Sequence, residues 1–72
     1  MATSVNAHIT GTVWKIEVKV GDAVTDGQTV VILESMKMEM PVESPCAGRV
    51  TAVLVKEGAA VEEGAPLVEL QP

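Results

Sequence analysis

The sequence predicts an all-β fold, a flattened barrel or sandwich of short strands, and three features of the chain support this prediction. The second half of the chain repeats the first at an offset of 37 residues, which indicates a duplicated structural unit. Apolar and polar residues alternate over residues 15–20, the period of a strand with one buried face. No stretch carries a sustained apolar period of 3.6 residues, so we expect no helix longer than a single turn.

The repeat aligns without gaps, and each copy reads G-x-V-x4-V-K-x-G-x2-V-x2-G-x3-V-x-L. Within the first copy, Ile16, Val18 and Val20 are expected on the buried face of a strand. Each copy is too small to close a core alone, so the two copies are predicted to pack face to face with approximate two-fold symmetry. Residues 35–47 lie outside the repeat and are expected to join the copies. Turn glycines with unusual backbone angles are expected at four repeat-related positions, Gly21, Gly27, Gly58 and Gly64.

The composition limits the size and the content of the core. The chain has 72 residues, and a domain of this size buries only about 60% of the surface that its unfolded form exposes. We therefore interpret residues 1–72 as one domain with a modest core. Apolar residues make up 47% of the chain but Trp14 is its single aromatic residue, so valine, isoleucine, leucine, alanine and methionine must fill the interior. The abundance of β-branched residues among them favours strands. Trp14 lies at an alternate position with Ile16 and Val18, on the same predicted face of the strand, so it is predicted to be partly buried.

The charge of the chain favours protein partners. The formal net charge is -5 at pH 7 and the acidic residues are spread along the sequence, which argues against nucleic acid or an anionic membrane as a partner. Cys46 is the single cysteine, so it cannot form an internal disulfide. The first residues lack the basic and apolar regions of a signal peptide, and no apolar run is long enough to cross a membrane, so we expect neither secretion nor a membrane span. We expect a monomeric domain of the cytoplasm, or of an organelle matrix if it is part of a larger eukaryotic protein.

No pattern in the sequence indicates a catalytic or metal centre. His8 has no second histidine, cysteine or aspartate at the spacing of metal ligands. Cys46 has no basic neighbours that would activate its thiol. Because no nucleophile is paired with a base, we expect no enzymatic activity from the chain itself.

The segment over residues 34–40 sets three alternating methionines around a lysine. By themselves, such methionines are typical core residues on one face of a strand, and a lysine between carboxylates is typical of a solvated surface. Met36-Lys37-Met38, however, closely resembles the attachment motif of the biotinyl/lipoyl carrier family. The glycine and valine framework over residues 11–70 resembles the same family, and the motif lies between the two copies of the repeat as it does there.

This resemblance implies a particular form of the predicted fold, a flattened barrel of two four-stranded antiparallel sheets. It also implies that Lys37 is exposed on a tight hairpin turn. The residues alone do not predict a turn there, because the Asn-Gly or Asp-Gly signal of short hairpins is absent. Pro41 and Pro45 instead indicate an edge strand or a bend shortly after the lysine.

The resemblance further implies a biotin carrier. Lys37 would be covalently biotinylated by a biotin protein ligase. Met36 and Met38 would flank it as recognition residues, and Glu34 and Glu39 are further candidates for recognition. The biotin would accept a carboxyl group at a biotin carboxylase site and deliver it at a carboxyltransferase site. The chain would then be a non-catalytic carrier domain of a biotin-dependent carboxylase.

Two alternatives remain open on the sequence. Lipoyl carriers of 2-oxoacid dehydrogenase systems share the fold, and Glu34 with the hydroxyl of Ser35 matches the lipoyl pattern. Met36 and Met38 match the biotin pattern, so biotin is the favoured cofactor and lipoate the less favoured one. The second alternative is an unmodified barrel-sandwich scaffold, which would keep the repeat but has no reason to keep Met-Lys-Met at its midpoint.

Overall fold

The computed structural model describes residues 2–72, and this part of the chain folds into eight β-strands without a helix. The strands are β1 (Thr3–Asn6), β2 (Gly11–Ile16), β3 (Ala23–Val24), β4 (Thr29–Ser35), β5 (Met38–Glu43), β6 (Gly48–Val53), β7 (Ala60–Val61) and β8 (Pro66–Gln71). They form two four-stranded sheets, in the orders β1-β8-β6-β3 and β5-β4-β2-β7, and every pairing is antiparallel. The predicted all-β fold and the implied pair of four-stranded sheets are confirmed.

Approximate two-fold symmetry relates the two sheets. A shift of 37 residues carries β1, β2, β3 and β4 onto β5, β6, β7 and β8, so each strand has a counterpart in the other sheet. Backbone hydrogen bonds outside the strands are related by the same shift of 37 residues. The amide of Gly27 donates to the carbonyl of Ser44 and the amide of Gly64 donates to the carbonyl of Ala7, both at 2.8 Å. The predicted symmetry is therefore confirmed in the backbone as well as in the sequence.

The joining segment differs from its prediction. Residues 35–47 were expected outside the repeat, but β5 lies within them and is the structural counterpart of β1. The two strands share few identical residues, and Val42 and Val5 are the pair that both fill the core. Each of these two edge strands buries a single side chain almost completely, and that side chain is the shared valine. The repeat is therefore visible in sequence over residues 11–33 and 48–70, but not in these two edge strands.

Aliphatic side chains from both sheets form the core. Leucines and valines of β4 and β8, one inner strand from each sheet, are completely buried: Leu33, Val30, Val31, Leu67, Val68 and Leu70. The alternating pattern predicted Ile16, Val18 and Val20 on the same buried face. Val18 is buried and Ile16 packs partly against the core, but Val20 is 62% exposed. The prediction for Val20 is wrong because β2 ends at Ile16 and the chain turns away at Gly21, whose φ is 98°.

A β-bulge changes the environment of Trp14. Val13 pairs with Leu33 and Lys15 pairs with Ile32, so Trp14 is the extra residue of β2. The extra residue moves the side chain to the outer face of the sheet, where Trp14 is 46% exposed. Partial burial was predicted, but on the core-facing side with Ile16, and that placement is wrong because alternation does not continue through a bulge.

Candidate modification site

Lys37 lies in a two-residue turn between β4 and β5. The two strands stay paired up to Ser35 opposite Met38, which leaves Met36 and Lys37 as the turn itself. Both turn residues have positive φ, 52° for Met36 and 66° for Lys37. This is the backbone requirement of the type I′ hairpin turn, which asparagine and glycine usually satisfy. The hairpin implied by the family resemblance is confirmed, although its residues carry no ordinary turn signal.

The turn is held by the strands on either side of it. The left-handed conformation costs a residue with a side chain about 1–2 kcal/mol. On the core side of the turn, Leu33 is fully buried and pairs with Met40, which fixes the register of the hairpin. Strand β4 is also paired with β2 on its other side. Packing and pairing of β4 therefore stabilise a turn that its own residues disfavour.

Gly11 supports the hairpin in a way that the sequence analysis did not identify. A Cβ atom at Gly11 would lie 2.6 Å from the carbonyl oxygen of Glu34 and 3.4 Å from Cβ of Ser35. Only a residue without a side chain allows β2 to begin this close to the end of β4. An isolated glycine at the start of a predicted strand is the signal that could have indicated this close approach.

The side chains at the tip face solvent. Met36 is 92% exposed and Met38 is 62% exposed, and Lys37 is exposed between them. The buried placement that is typical of alternating methionines therefore does not apply to Met36 and Met38, which flank the lysine in solvent. In residues 2–72 neither a hydrogen bond nor an ion pair holds the ammonium group of Lys37. The tip thus presents one free amine between two flexible apolar side chains.

Two carboxylates lie near the tip of the hairpin on the outer face of the sheet. Glu34 pairs directly with Glu39 across β4 and β5, and both side chains are exposed. Like charges in this position destabilise a sheet slightly. The ion pair found in the described part of the chain joins Lys15 to Glu17 at 3.9 Å and involves neither carboxylate. The acidic pair is therefore available to a cationic group of another molecule.

The other groups considered in the sequence are not gathered into a site. His8 is exposed. Cys46 is half-buried and its thiol is free. The backbone carbonyl of Cys46 accepts a hydrogen bond from the Ser44 hydroxyl at 2.6 Å. Across residues 2–72 there is neither a pocket nor a group of three side chains that could hold a metal ion. The same range contains no helix long and apolar enough to span a membrane. Lys37 and its neighbours are therefore the candidate functional site.

A family comparison agrees with this geometry. The model of the biotin/lipoyl family, described as "Biotin-requiring enzyme", matches residues 1–70. The chain belongs to the biotin/lipoyl domain family. The match includes the hairpin and both copies of the repeat, so the resemblance first noticed in Met36-Lys37-Met38 is confirmed over almost the whole chain.

Relatives of this biotin/lipoyl domain include a small protein and parts of large ones. The chain is 48% identical over 67 residues to the biotin/lipoyl attachment protein of Bacillus subtilis, covering 93% of this chain and 92% of that protein. It is 42% identical over 65 residues to the alpha subunit of mitochondrial methylcrotonoyl-CoA carboxylase of Mus musculus, covering 90% of this chain but 9% of that subunit. It is 39% identical over 69 residues to the biotin carboxyl carrier protein of Streptococcus mutans, covering 96% and 53% of the two chains.

Solved structures show the same biotin/lipoyl domain inside carboxylases. The urea carboxylase of Kluyveromyces lactis matches with a TM-score of 0.93 and 37% identity, covering 99% of this chain and 6% of that one. A single-chain, multi-domain long-chain acyl-CoA carboxylase matches with a TM-score of 0.89 and 34% identity, covering 94% and 7%. The chain is therefore a homologue of biotin carboxyl carrier domains, and the lipoyl alternative is not better supported.

Proposed function

We propose that this domain is a biotin carboxyl carrier whose Lys37 is biotinylated by a biotin protein ligase. The attached biotin carries a carboxyl group from a biotin carboxylase site to a carboxyltransferase site. One observation supports this proposal above the others. The Met36–Lys37 turn, with positive φ at both residues, holds an unpaired lysine at the apex of a hairpin that the core keeps in register.

The reaction at Lys37 requires chemistry that this chain does not supply. Nζ attacks the acyl carbon of biotin activated as an adenylate, an amide bond forms, and adenosine monophosphate leaves. A lysine ammonium group has no lone pair with which to attack, so it must lose a proton first. No side chain in residues 2–72 hydrogen-bonds to Lys37, so the base that removes the proton belongs to the ligase. The domain acts as a substrate and then as a carrier.

The residues around Lys37 give a partner something to recognise. Met36 and Met38 present exposed thioether side chains on either side of the amine. Flexible, polarizable methionines suit a surface that must fit several protein sites in turn. Glu34 and Glu39 add a pair of negative charges near the tip of the same hairpin. We assign all four to recognition rather than to chemistry.

A lipoyl carrier is the second candidate. The Bacillus subtilis relative is described as a biotin/lipoyl attachment protein, and Glu34 with Ser35 matches the lipoyl pattern. The exposed methionines on both sides of Lys37 favour biotin. An unmodified scaffold is less well supported than either, because a scaffold gains nothing from an exposed Met-Lys-Met turn with unfavourable backbone angles.

The decisive experiment is labelling with mass mapping. We expect the purified chain, incubated with biotin, ATP and a biotin protein ligase, to gain one biotinyl group on the peptide that contains Lys37. Lys37→Arg should abolish the labelling, because the guanidinium group cannot replace the amine as nucleophile. The matched control is Lys56→Arg, an exposed lysine away from the hairpin, which should be labelled normally.

Two results would contradict the biotin assignment. One is labelling of Lys37→Arg, and the other is a lipoyl mass on protein recovered from its native cell. We also propose that the domain is monomeric and works in the cytoplasm or in an organelle matrix. Sedimentation of the purified chain and fractionation of its native cell test these two statements.

A further inference from the structure

An apolar cluster lies on the outer face of the sheet that carries the hairpin. Ile32 lies between two fully buried neighbours in β4, so its own side chain points away from the core. It pairs with Pro41 of β5, and the bulge in β2 places Trp14 and Lys15 opposite it on the other side. Trp14, Ile32 and Pro41 form what we call the outer-face patch.

The two-fold symmetry provides an internal control for the patch. A shift of 37 residues takes Trp14, Ile32 and Pro41 to Thr51, Glu69 and Ser4 on the other sheet. These residues occupy the same bulge and the same pairing, since Glu69 pairs with Ser4 on one side and with Ala52 on the other.

The corresponding outer face of the other sheet, formed by Thr51, Glu69 and Ser4, is polar. The hydroxyl of Thr51 donates to the carbonyl of Glu69 at 3.2 Å. The fold therefore accepts polar residues at all three positions. The same backbone pairing does not demand apolar residues at these positions, so their concentration on the lysine-bearing sheet calls for a further explanation.

The patch lies within reach of any protein that holds the hairpin. Ile32 is three residues before Ser35, a distance of about 10 Å along an extended strand. A typical protein interface buries about 800 Å² on each partner, which corresponds to a disc of about 16 Å radius. An interface centred on the tip would thus cover the patch. It would also cover Glu34 and Glu39, which lie between the patch and the tip.

We propose that the outer-face patch is a docking surface for the biotin protein ligase, an inference that rests on the proposed function. The matching ligase surface carries an apolar side chain for Trp14, bordered by lysine or arginine groups that pair with Glu34 and Glu39. A second copy of this chain fits poorly, because each copy has a net charge of -5 and would bring its own acidic pair to the contact.

The ligase fits the patch better than the carboxylase sites do. A carboxylase site receives the domain with biotin attached, and the biotin ring itself supplies recognition. The ligase meets the domain before modification, with a single flexible lysine at the tip. Its specificity must therefore come from the folded surface around the lysine, and large aromatic residues are the usual anchors of such a surface.

The test replaces patch residues by their counterparts from the polar face. Trp14→Thr copies Thr51, Ile32→Glu copies Glu69 and Pro41→Ser copies Ser4. We expect kcat/KM for biotinylation of Trp14→Thr to fall about tenfold or more through a higher KM, the loss expected for an interface anchor. The control is Val20→Thr, which changes an exposed apolar residue outside the patch and should stay within about twofold of the parent.

The possible results separate this inference from the proposed function. If the parent is labelled and all three patch variants keep its kcat/KM, the docking surface is overturned and the carrier function stands. A fall in kcat with unchanged KM would assign the patch to positioning of the lysine and would also overturn docking. If the parent is not labelled, the carrier function fails and this inference fails with it. Urea unfolding of each variant shows whether it is folded, and three independent variants keep the test valid if one is not.

Discussion

The two ends related by the symmetry of this domain share a framework but differ in what they carry. At one end, Gly11 lets β2 approach Glu34 just before the Met36–Lys37 turn. At the other, Gly48 lets β6 approach Gln71 in the same way. The first end continues into a hairpin whose turn residues have unfavourable φ angles, and the second has no such hairpin in the described residues. The duplicated framework sets the fold, and the candidate modification site lies where the two copies differ.

The largest expected change in stability compares these two glycines. Gly11→Ala would place a Cβ atom 2.6 Å from the Glu34 carbonyl oxygen, which is fixed by pairing of β4 on both sides. We expect the free energy of unfolding to fall by about 3 kcal/mol. Gly48→Ala is the matched control. Its contact with the Gln71 carbonyl is 2.9 Å, and Gln71 pairs with β6 alone among the described residues.

Urea unfolding of the two glycine variants measures this difference. Gly48→Ala should cost about 1.5 kcal/mol, because its neighbour has more room to move. Equal losses would mean that the hairpin end is no more tightly constrained than its counterpart. Slower biotinylation of Gly11→Ala than of Gly48→Ala would further link the close approach to the presentation of Lys37.

The next prediction tests whether the framework is truly equivalent in its two copies. Gly27 and Gly64 are related by the symmetry, have φ of 85° and 91°, and have open space where a Cβ would lie. Alanine at either position should therefore cost only the left-handed strain, about 1–2 kcal/mol. The two losses should agree within about 0.5 kcal/mol in urea unfolding. A clear disagreement between the two losses would mean that the two turns share a backbone conformation but not an equal contribution to stability.

A substitution in the turn at residues 36 and 37 should raise the stability of the domain rather than lower it. Met36→Asn replaces an exposed residue at φ 52° by one that tolerates this conformation, so we expect a gain of about 0.5–1 kcal/mol in the free energy of unfolding. Met38→Asn is the control, because Met38 belongs to β5 and asparagine is disfavoured in strands. Thermal or urea unfolding measures both. A loss of stability in Met36→Asn would contradict the view that the turn is disfavoured by its own residues.

Much of this architecture could be predicted from the sequence. Coinciding glycines and valines predicted the duplication, and alternation predicted strands with a buried face. Lys37 was identified by resemblance to a family and not by turn chemistry. The turn at Lys37 could not be predicted from its residues because their local preference opposes the observed backbone, and long-range pairing of β4 and β5 decides it.

The remaining errors have local physical causes. The bulge at Trp14 moved that side chain to the outer face, and a bulge leaves no signal in the polarity pattern of a single strand. Val20 was placed on the core side because alternation was extended past the end of β2. The equivalence of β5 with β1 was missed because edge strands have few buried positions and so few residues that must match.

The smallest expected effect concerns the charges near the tip of the hairpin. Glu34 and Glu39 face each other across β4 and β5, whereas Glu43 of the same strand faces the uncharged Thr29. Glu39→Gln should therefore raise the free energy of unfolding by about 0.2–1 kcal/mol, and Glu43→Gln should leave it nearly unchanged. The gain should disappear in 1 M salt, where the screening length is about 3 Å.

Comparison of this variant in two assays separates stability from recognition. If the acidic pair is kept for a partner, Glu39→Gln becomes more stable and at the same time a poorer substrate for the ligase. A variant that is more stable and biotinylated at the parent rate would mean that the carboxylates have no part in recognition. Because the fold would be better without the repulsion, a loss of labelling could not be ascribed to unfolding. If Glu39→Gln is more stable but is labelled more slowly, the acidic pair costs the fold some stability and is needed for recognition by the ligase.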